Sequence, residues 1–142
     1  MTVAPTTDPS AVRRFWAHMI RRHPRELGHD GKARAEITRW HPIDQFDLIV
    51  SITMGRKFVR VFIRGIADGK ASIVRKRLEA VESELMKTLG VPLKSAEQDH
   101  FFVDRLDVDL TEETNWDAAT DWLFERAEKY EVVLNLYLGR NG

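Results

Sequence analysis

The sequence predicts an α+β domain, with a mostly antiparallel sheet of about four strands and three helices packed mainly on one of its faces. Segments in which apolar and polar residues alternate follow one another directly, and stretches with helical apolar spacing lie before and after them. This order differs from the strict strand–helix alternation of a doubly wound parallel sheet. The 142 residues have the size of one domain without linkers or repeats, so we expect a single domain over 9–142 after a frayed start at 1–8.

The first predicted helix covers 9–23. Asp8 is a suitable N-cap, Pro9 occupies the first helical position, and Pro24 ends the helix. Its apolar residues recur at i, i+3, i+4, i+7 and i+8, and they are Val12, Phe15, Trp16, Met19 and Ile20. We therefore expect one side of this helix to be buried and the arginine-rich opposite side to be solvated.

Three strands follow a predicted loop over 28–32. The first is expected over 33–40, and the second over 45–54, where apolar residues strictly alternate. Gly55 and Arg56 then predict a tight turn into a third strand over 57–65, in which Val59, Val61 and Ile63 alternate with Phe58, Arg60, Phe62 and Arg64. The second and third strands are therefore expected to form a hairpin.

The rest of the chain predicts a helix, a strand and a long helix. Helical spacing runs over 71–89 and ends at Gly90, with Pro92 just beyond it. Alternation over 100–110 predicts the fourth strand, which should be short or bulged because Asp104 falls on its apolar side. Thr114 and Asp117 have the spacing of a capping box, and the helix that they open is expected to continue to Gly139.

Dispersed positions across most of the chain resemble a bacterial and archaeal family of unknown function, DUF4268. These positions are Phe15-Trp16, the strand Val59 to Ile63, the stretch from Glu82 to Leu93, Asn115-Trp116 and Trp122-Leu123. The resemblance covers the chain from about Phe15 onward. Members of that family occur alone or at the end of longer proteins, some of which are nuclease-related. The resemblance therefore implies an accessory module.

Charge divides the chain into two unlike halves. Seventeen basic residues lie at or before Lys87 against ten acidic ones, and five lie after it against twelve. Such asymmetry indicates a partner of one sign, or halves that neutralise each other when folded. Guanidinium groups suit phosphate, so nucleic acid and a charged protein are both candidate partners. The candidate contact residues are Arg13, Arg14, Arg21, Arg22, Arg60 and Arg64.

The same charges permit a structural interpretation. A helix needs a solvated face, and the acidic last helix can pair with the basic first one, either inside the fold or across a homodimer. Exposed ion pairs contribute only about 0 to 1 kcal/mol each. Charge alone therefore leaves both interpretations open.

No catalytic or cofactor motif stands out. The chain lacks a nucleophile elbow and a glycine-rich phosphate cradle, and its absence of cysteine excludes disulfides and thiolate chemistry. The only dense candidates for a metal site are Asp99, His100, Asp104, Asp107 and Asp109, foremost Asp99, Asp107 and Asp109, since Asp107 and Asp109 would share a strand face. An acidic solvent face explains the same spacing, so we assign no catalytic residue, no metal and no cofactor.

Four tryptophans divide into two expected roles. Trp16 and Trp116 lie on apolar helical stripes and are predicted core residues. Trp40, at a strand end, and Trp122, beside a stripe, are the interface candidates, since aromatic side chains often anchor interfaces.

These observations favour a non-enzymatic accessory or interaction module in the cytoplasm, with no membrane contact and with the basic half as its contact face. Arg21 and Arg22 are the foremost contact residues. A small metal-dependent nuclease-related enzyme and a homodimerisation domain are the alternatives.

Overall fold

The computed structural model of this protein describes residues 8–24, 33, 35–43, 46–65, 71–95 and 99–141. The predicted frayed start and the predicted loop over 28–32 lie outside these residues, apart from Asp8. Four helices and four strands follow one another, with a 3₁₀ turn before the last helix. In chain order they are α1 Pro9–Arg22, β1 Thr38–Ile43, β2 Leu48–Met54, β3 Phe58–Gly65, α2 Ala71–Glu79, α3 Glu82–Leu89, β4 Phe101–Asp107, the 3₁₀ turn Glu113–Asn115 and α4 Trp116–Asn141.

The described strands form one antiparallel sheet in the order β1-β2-β3-β4. This architecture confirms the predicted α+β class and the predicted hairpin, in which Met54 of β2 lies opposite Val59 of β3. Gly55 is required at the turn, because a Cβ there would come within 2.3 Å of Cε1 of Phe58.

The core lies between the helices and one face of the sheet. Val59, Val61 and Ile63 of β3 are fully buried in it, as are Trp16 of α1 and Leu123 of α4. Because successive side chains of a strand point to opposite faces, the other set of β3 residues faces away from the helices. The two predicted core tryptophans, Trp16 and Trp116, are both in this core.

The predicted helix over 71–89 is two helices in the structure. Its stripe of Val74, Leu78, Val81, Leu85 and Leu89 is buried as expected. The backbone breaks at Ala80 and Val81, where the amide of Val81 donates to the carbonyl of Leu78 three residues back. A tightened turn of this kind keeps the apolar stripe continuous while it ends the first helix. Gly90 then closes α3 in the left-handed conformation, as its position predicted.

The irregularity predicted near Asp104 is a β-bulge. The β3–β4 register shifts between Val61 and Ile63, and Phe102 has a φ of 52°. The amide of Phe102 donates to the carbonyl of Leu93, and its own carbonyl accepts the hydroxyl of Tyr130 at 2.6 Å. Asp104 faces the helices and forms an ion pair with Arg126 of α4 at 2.7 Å. The carboxylate of Asp104, on the helix-facing side of the sheet, is therefore paired with the guanidinium of Arg126.

Several strand boundaries differ from the predicted ones, and β2 begins at Leu48 instead of residue 45. β1 begins at Thr38 instead of residue 33 and continues through Pro42 to Ile43. Proline is tolerated there because β1 is an edge strand, where an amide facing away from the sheet has no ladder partner to lose. β4 ends at Asp107 instead of residue 110, because the chain turns toward the 3₁₀ segment that precedes α4.

Candidate functional site

The structure separates the six candidate contact arginines into two groups. Arg13, Arg14, Arg21 and Arg22 lie on α1, in the helical layer. Arg60 and Arg64 lie on β3 and alternate with core residues, so they face away from the helices. The six therefore do not form one continuous surface.

Three pairs of side chains join α1 to the start of the chain's last helix. Arg14 contacts Glu113 at 2.9 Å, His18 contacts Asp117 at 2.7 Å, and Arg22 contacts Asp121 at 2.8 Å. Each pair is separated by 99 residues in sequence. A constant separation means that the two helical segments run parallel, with matched one-turn spacing. We call these three pairs the α1–α4 ladder.

Arg22 has the densest set of contacts in the α1–α4 ladder. Its guanidinium donates two hydrogen bonds to Asp121, at 3.0 and 2.8 Å, and lies 3.3 Å from Asp117. His23 lies 2.7 Å from the same Asp121 and stacks on Phe124 with ring centroids 4.2 Å apart. The hydrogen bonds from Arg22 lower the pKa of Asp121, and those to Asp121 raise the pKa of Arg22. One of the two foremost candidates is thus paired inside the fold.

The other arginines of α1 differ from one another. Arg14 is paired with Glu113, and its Cζ lies 5.8 Å from the ring centroid of Trp116. Arg13 and Arg21 are exposed and form no ion pair with any other described residue. The interpretation that the acidic last helix pairs with the basic first helix inside the fold is confirmed at Arg22, whereas Arg14 pairs with the 3₁₀ turn that precedes that helix.

A second arginine-rich surface lies on the opposite side of the sheet. Phe58, Arg60, Phe62 and Arg64 share the outer face of β3, and Arg105 of β4 lies directly across from Arg60. We call these five residues the arginine–phenylalanine strip. Arg60, Arg64 and Phe58 are half-buried and Arg105 is exposed, whereas Phe62 is buried.

Guanidinium groups of the strip lie over its rings. Cζ of Arg105 is 4.4 Å from the centroid of Phe58, and Cζ of Arg60 is 5.9 Å from that centroid and 5.2 Å from that of Phe62. Phe62 also stacks on His100 at 4.0 Å. Cation–π contact holds a guanidinium flat on a ring while its N–H edges stay available for acceptors.

This outer face is not equally accessible on all strands. Ile49, Ser51 and Thr53, the residues of β2 on the same face, are all buried. The strip carries three guanidinium groups, and the carboxylate of Asp107 lies 2.7 Å from Nε of Arg105. The exposed border of the sheet is therefore basic and partly aromatic.

The three metal candidates have separate partners. Asp99 lies 3.7 Å from His100, Asp107 pairs with Arg105, and Asp109 pairs with Lys57 at 2.9 Å. Because β4 ends at Asp107, Asp109 does not share a strand face with it, contrary to the sequence interpretation. Within the described part of the chain, no group of three or more acidic or histidine side chains is placed to hold a metal ion.

Of the two interface candidates, Trp122 is half-buried and packs against the core. Trp40 lies in β1, and its side chain falls outside the described residues.

Sequence reasoning missed the contribution of Phe58, His100 and Arg105 to a common surface. The sequence of β3 did contain a signal. Its outward-facing positions read phenylalanine, arginine, phenylalanine, arginine from residue 58 to residue 64. Arg105 could not be assigned to the same face, since a bulge at an unknown position reverses which residues of a strand face outward.

Comparison with family models, with curated proteins and with solved structures finds no match for this chain. Among the helices in the described ranges, none has both the length and the apolar character needed to cross a membrane.

Proposed function

We propose that this protein is a non-enzymatic cytoplasmic module that binds nucleic acid through the arginine–phenylalanine strip. The observation that carries the proposal is that the guanidinium groups of Arg60 and Arg105 lie over the rings of Phe58 and Phe62 on the outer face of β3 and β4. The accessory role implied by the DUF4268 resemblance is compatible with such a module and remains a prediction.

Charge favours a polyanion at the strip. Arg60, Arg64 and Arg105 place three guanidinium groups on one face of the sheet, and Asp107 pairs with Arg105. Guanidinium groups bind phosphate with two parallel hydrogen bonds, and the release of condensed counterions makes such binding favourable at low salt.

The structure also gives a reason to prefer the strip over α1, where charge patterning had placed the contact face. Arg14 and Arg22 are paired with carboxylates, so a phosphate would have to compete with Glu113, Asp117 and Asp121 for them. Negative charge from those acids also reduces the attraction of α1 for a polyanion.

Fluorescence anisotropy with labelled DNA and RNA oligonucleotides, at low and at physiological salt, tests this proposal. The variant Arg64→Gln/Arg105→Gln removes two charges from the strip while keeping long polar side chains. It should weaken binding and reduce the slope of log affinity against log salt by about 1.4 to 1.8, the range expected for two lost phosphate contacts.

The matched control is Arg13→Gln/Arg21→Gln, which removes two exposed arginines from α1. This control should bind nearly as tightly as the natural protein. If the control loses as much affinity as the strip variant, the contact face is α1. If no oligonucleotide binds even at low salt, the proposed function is wrong, and a charged protein partner or self-association becomes the hypothesis to test.

A further inference from the structure

The arginine–phenylalanine strip contains more than positive charge, because Phe58 is a half-buried aromatic ring with a guanidinium over it. The ring of Phe58 packs against the backbone of Gly55, where even a methyl group would come within 2.3 Å of it. The guanidinium of Arg105 lies over the same ring, 4.4 Å from its centroid. Phe58 is therefore held in place by a turn on one strand and a side chain from the next.

We infer that this Phe58–Arg105 pair stacks on an unpaired base, so that the protein selects single-stranded over double-stranded nucleic acid. The inference rests on the proposed function and names the form of nucleic acid that the strip binds. Bases stack readily on aromatic rings and on guanidinium planes. In a duplex the faces of each base are already covered by its neighbours, so only an unpaired base can use such a surface.

The exposure of the pair fits this role. The side chain of Arg105 is 53% exposed although its guanidinium lies over a ring, so the pair presents a guanidinium group to solvent beside an aromatic ring. Nε of Arg105 contacts Asp107 at 2.7 Å, which fixes the orientation of the guanidinium. A surface that is already oriented loses little conformational freedom when a ligand stacks on it.

The rest of the strip supplies contacts for the adjoining backbone. Alternate residues of a strand lie on one face, so the strip extends for roughly 20 Å along β3 from Phe58 to Arg64. Arg60 and Arg64 occupy this length on the same side as Phe58. A stretched single strand that stacks one base on the Phe58–Arg105 pair can therefore run along β3 past Arg60 and Arg64.

The test uses three probes of about 12 nucleotides, a length within the range of small single-strand sites. They are a single strand of thymidine or uridine, the matching duplex, and a single strand whose central nucleotides are abasic and so keep the phosphates without the bases. At physiological salt the intact single strand should bind roughly fivefold more tightly than either of the others, or more tightly still.

Two variants separate stacking from charge. Arg105→Lys keeps the positive charge and removes the plane, and Phe58→Leu keeps an apolar side chain and removes the ring. Each should lower affinity for the intact single strand by roughly fivefold or more, and should leave binding to the duplex and the abasic strand within about twofold. The exposed position of Arg105 keeps that variant informative if Phe58→Leu proves unstable in thermal unfolding.

The outcomes distinguish this inference from the proposed function. Salt-dependent binding of equal strength to all three probes, unchanged in Arg105→Lys, would overturn the stacking inference and leave the nucleic-acid function in place. Absence of binding to every probe at low salt would overturn both.

Discussion

Asp109 is the carboxylate with the most hydrogen-bond donors in the turn after β4. It accepts hydrogen bonds from the hydroxyl and the amide of Thr111, and from Nζ of Lys57 at 2.9 Å. These donors stabilise the ionised form, with the Thr111 hydroxyl contributing most, and they lower the pKa of Asp109 from 3.8 to about 2. The turn is thereby fastened to the β2–β3 hairpin.

The lowered pKa of Asp109 predicts a specific loss of stability in acid. A group whose pKa is lower in the folded state stabilises the fold above its unfolded pKa and loses that contribution as the pH falls through its folded pKa. The difference in unfolding free energy between the natural protein and Asp109→Asn should therefore shrink between about pH 4 and about pH 2. Carboxyl NMR titration provides the direct check, and a pKa near 3.9 for Asp109 would contradict the assignment.

Tyr130 supports the strained residue Phe102. Its hydroxyl donates to the Phe102 carbonyl at 2.6 Å, and both side chains are fully buried. Burial raises the pKa of Tyr130 above its ordinary range, so its hydroxyl stays protonated as a donor. A positive φ in a residue with a bulky side chain persists only where its surroundings hold it.

Removing that hydroxyl should destabilise the protein measurably. Tyr130→Phe leaves the buried carbonyl of Phe102 without this donor, which should cost about 1 to 3 kcal/mol of unfolding free energy in urea denaturation. Tyr137→Phe, at a half-buried position of the same helix, is the comparison. A loss for Tyr130→Phe no larger than for Tyr137→Phe would mean that the bulge does not depend on this hydrogen bond.

At the scale of elements, the α1–α4 ladder shows how two adjacent arginines acquire different roles. Arg21 and Arg22 both lie in the last turn of α1 and both complement its dipole. Of these two arginines, only Arg22 pairs with Asp117 and Asp121. The helical position of a residue relative to α4 therefore decides whether its charge is paired within the fold.

We therefore expect Arg22→Ala to lower the melting temperature more than Arg21→Ala does. The two substitutions remove the same charge from the same helix end, so their difference isolates the pairing with α4. Thermal unfolding at low salt should resolve that difference, which should diminish at about 1 M salt, where the screening length falls to roughly 3 Å. Equal melting temperatures at low salt would show that the α1–α4 ladder contributes no net stability.

Most elements were predictable because their apolar periods are strong. The stripe of α1, the alternation of β2 and β3, and Gly90 as the end of α3 all follow from local sequence. The break at Ala80 was not predictable, since neither glycine nor proline marks it and the apolar stripe passes through unbroken. The end of β1 was not predictable either, because it contains Pro42. A proline is tolerated in a strand at the edge of a sheet, and the position of β1 at the edge of the described strands follows only from the assembled sheet.

The candidate site was predictable only in part. Arg60 and Arg64 could be placed on one strand face from alternation, but the pairing of Arg14 and Arg22 with acids about 100 residues away depends on how α1 and α4 pack. The sequence alone therefore favoured α1 as the foremost contact face, because it does not show that Arg14 and Arg22 pair with acids of the C-terminal half.

At the scale of the whole molecule, part of the charge asymmetry of the sequence is neutralised by contacts within the fold. Ion pairs between the basic and acidic halves occur at the α1–α4 ladder, between His41 and Glu131, and between Lys57 and Asp109. The net charge of zero is thus accompanied by direct contacts between the basic and the acidic half of the chain.

The parallel register of α1 and α4 also affects how the protein is made. Phe15 packs edge-to-face on Trp116, so this part of the first helix stays uncovered until residues about 100 positions later have been synthesised. At ordinary elongation rates that interval lasts roughly 5 to 20 seconds. During it the residues up to Lys87 carry seventeen basic against ten acidic side chains, without the acids of the last helix that pair with them in the fold. Charge balance and burial of that part of the first helix are both completed when the last helix emerges.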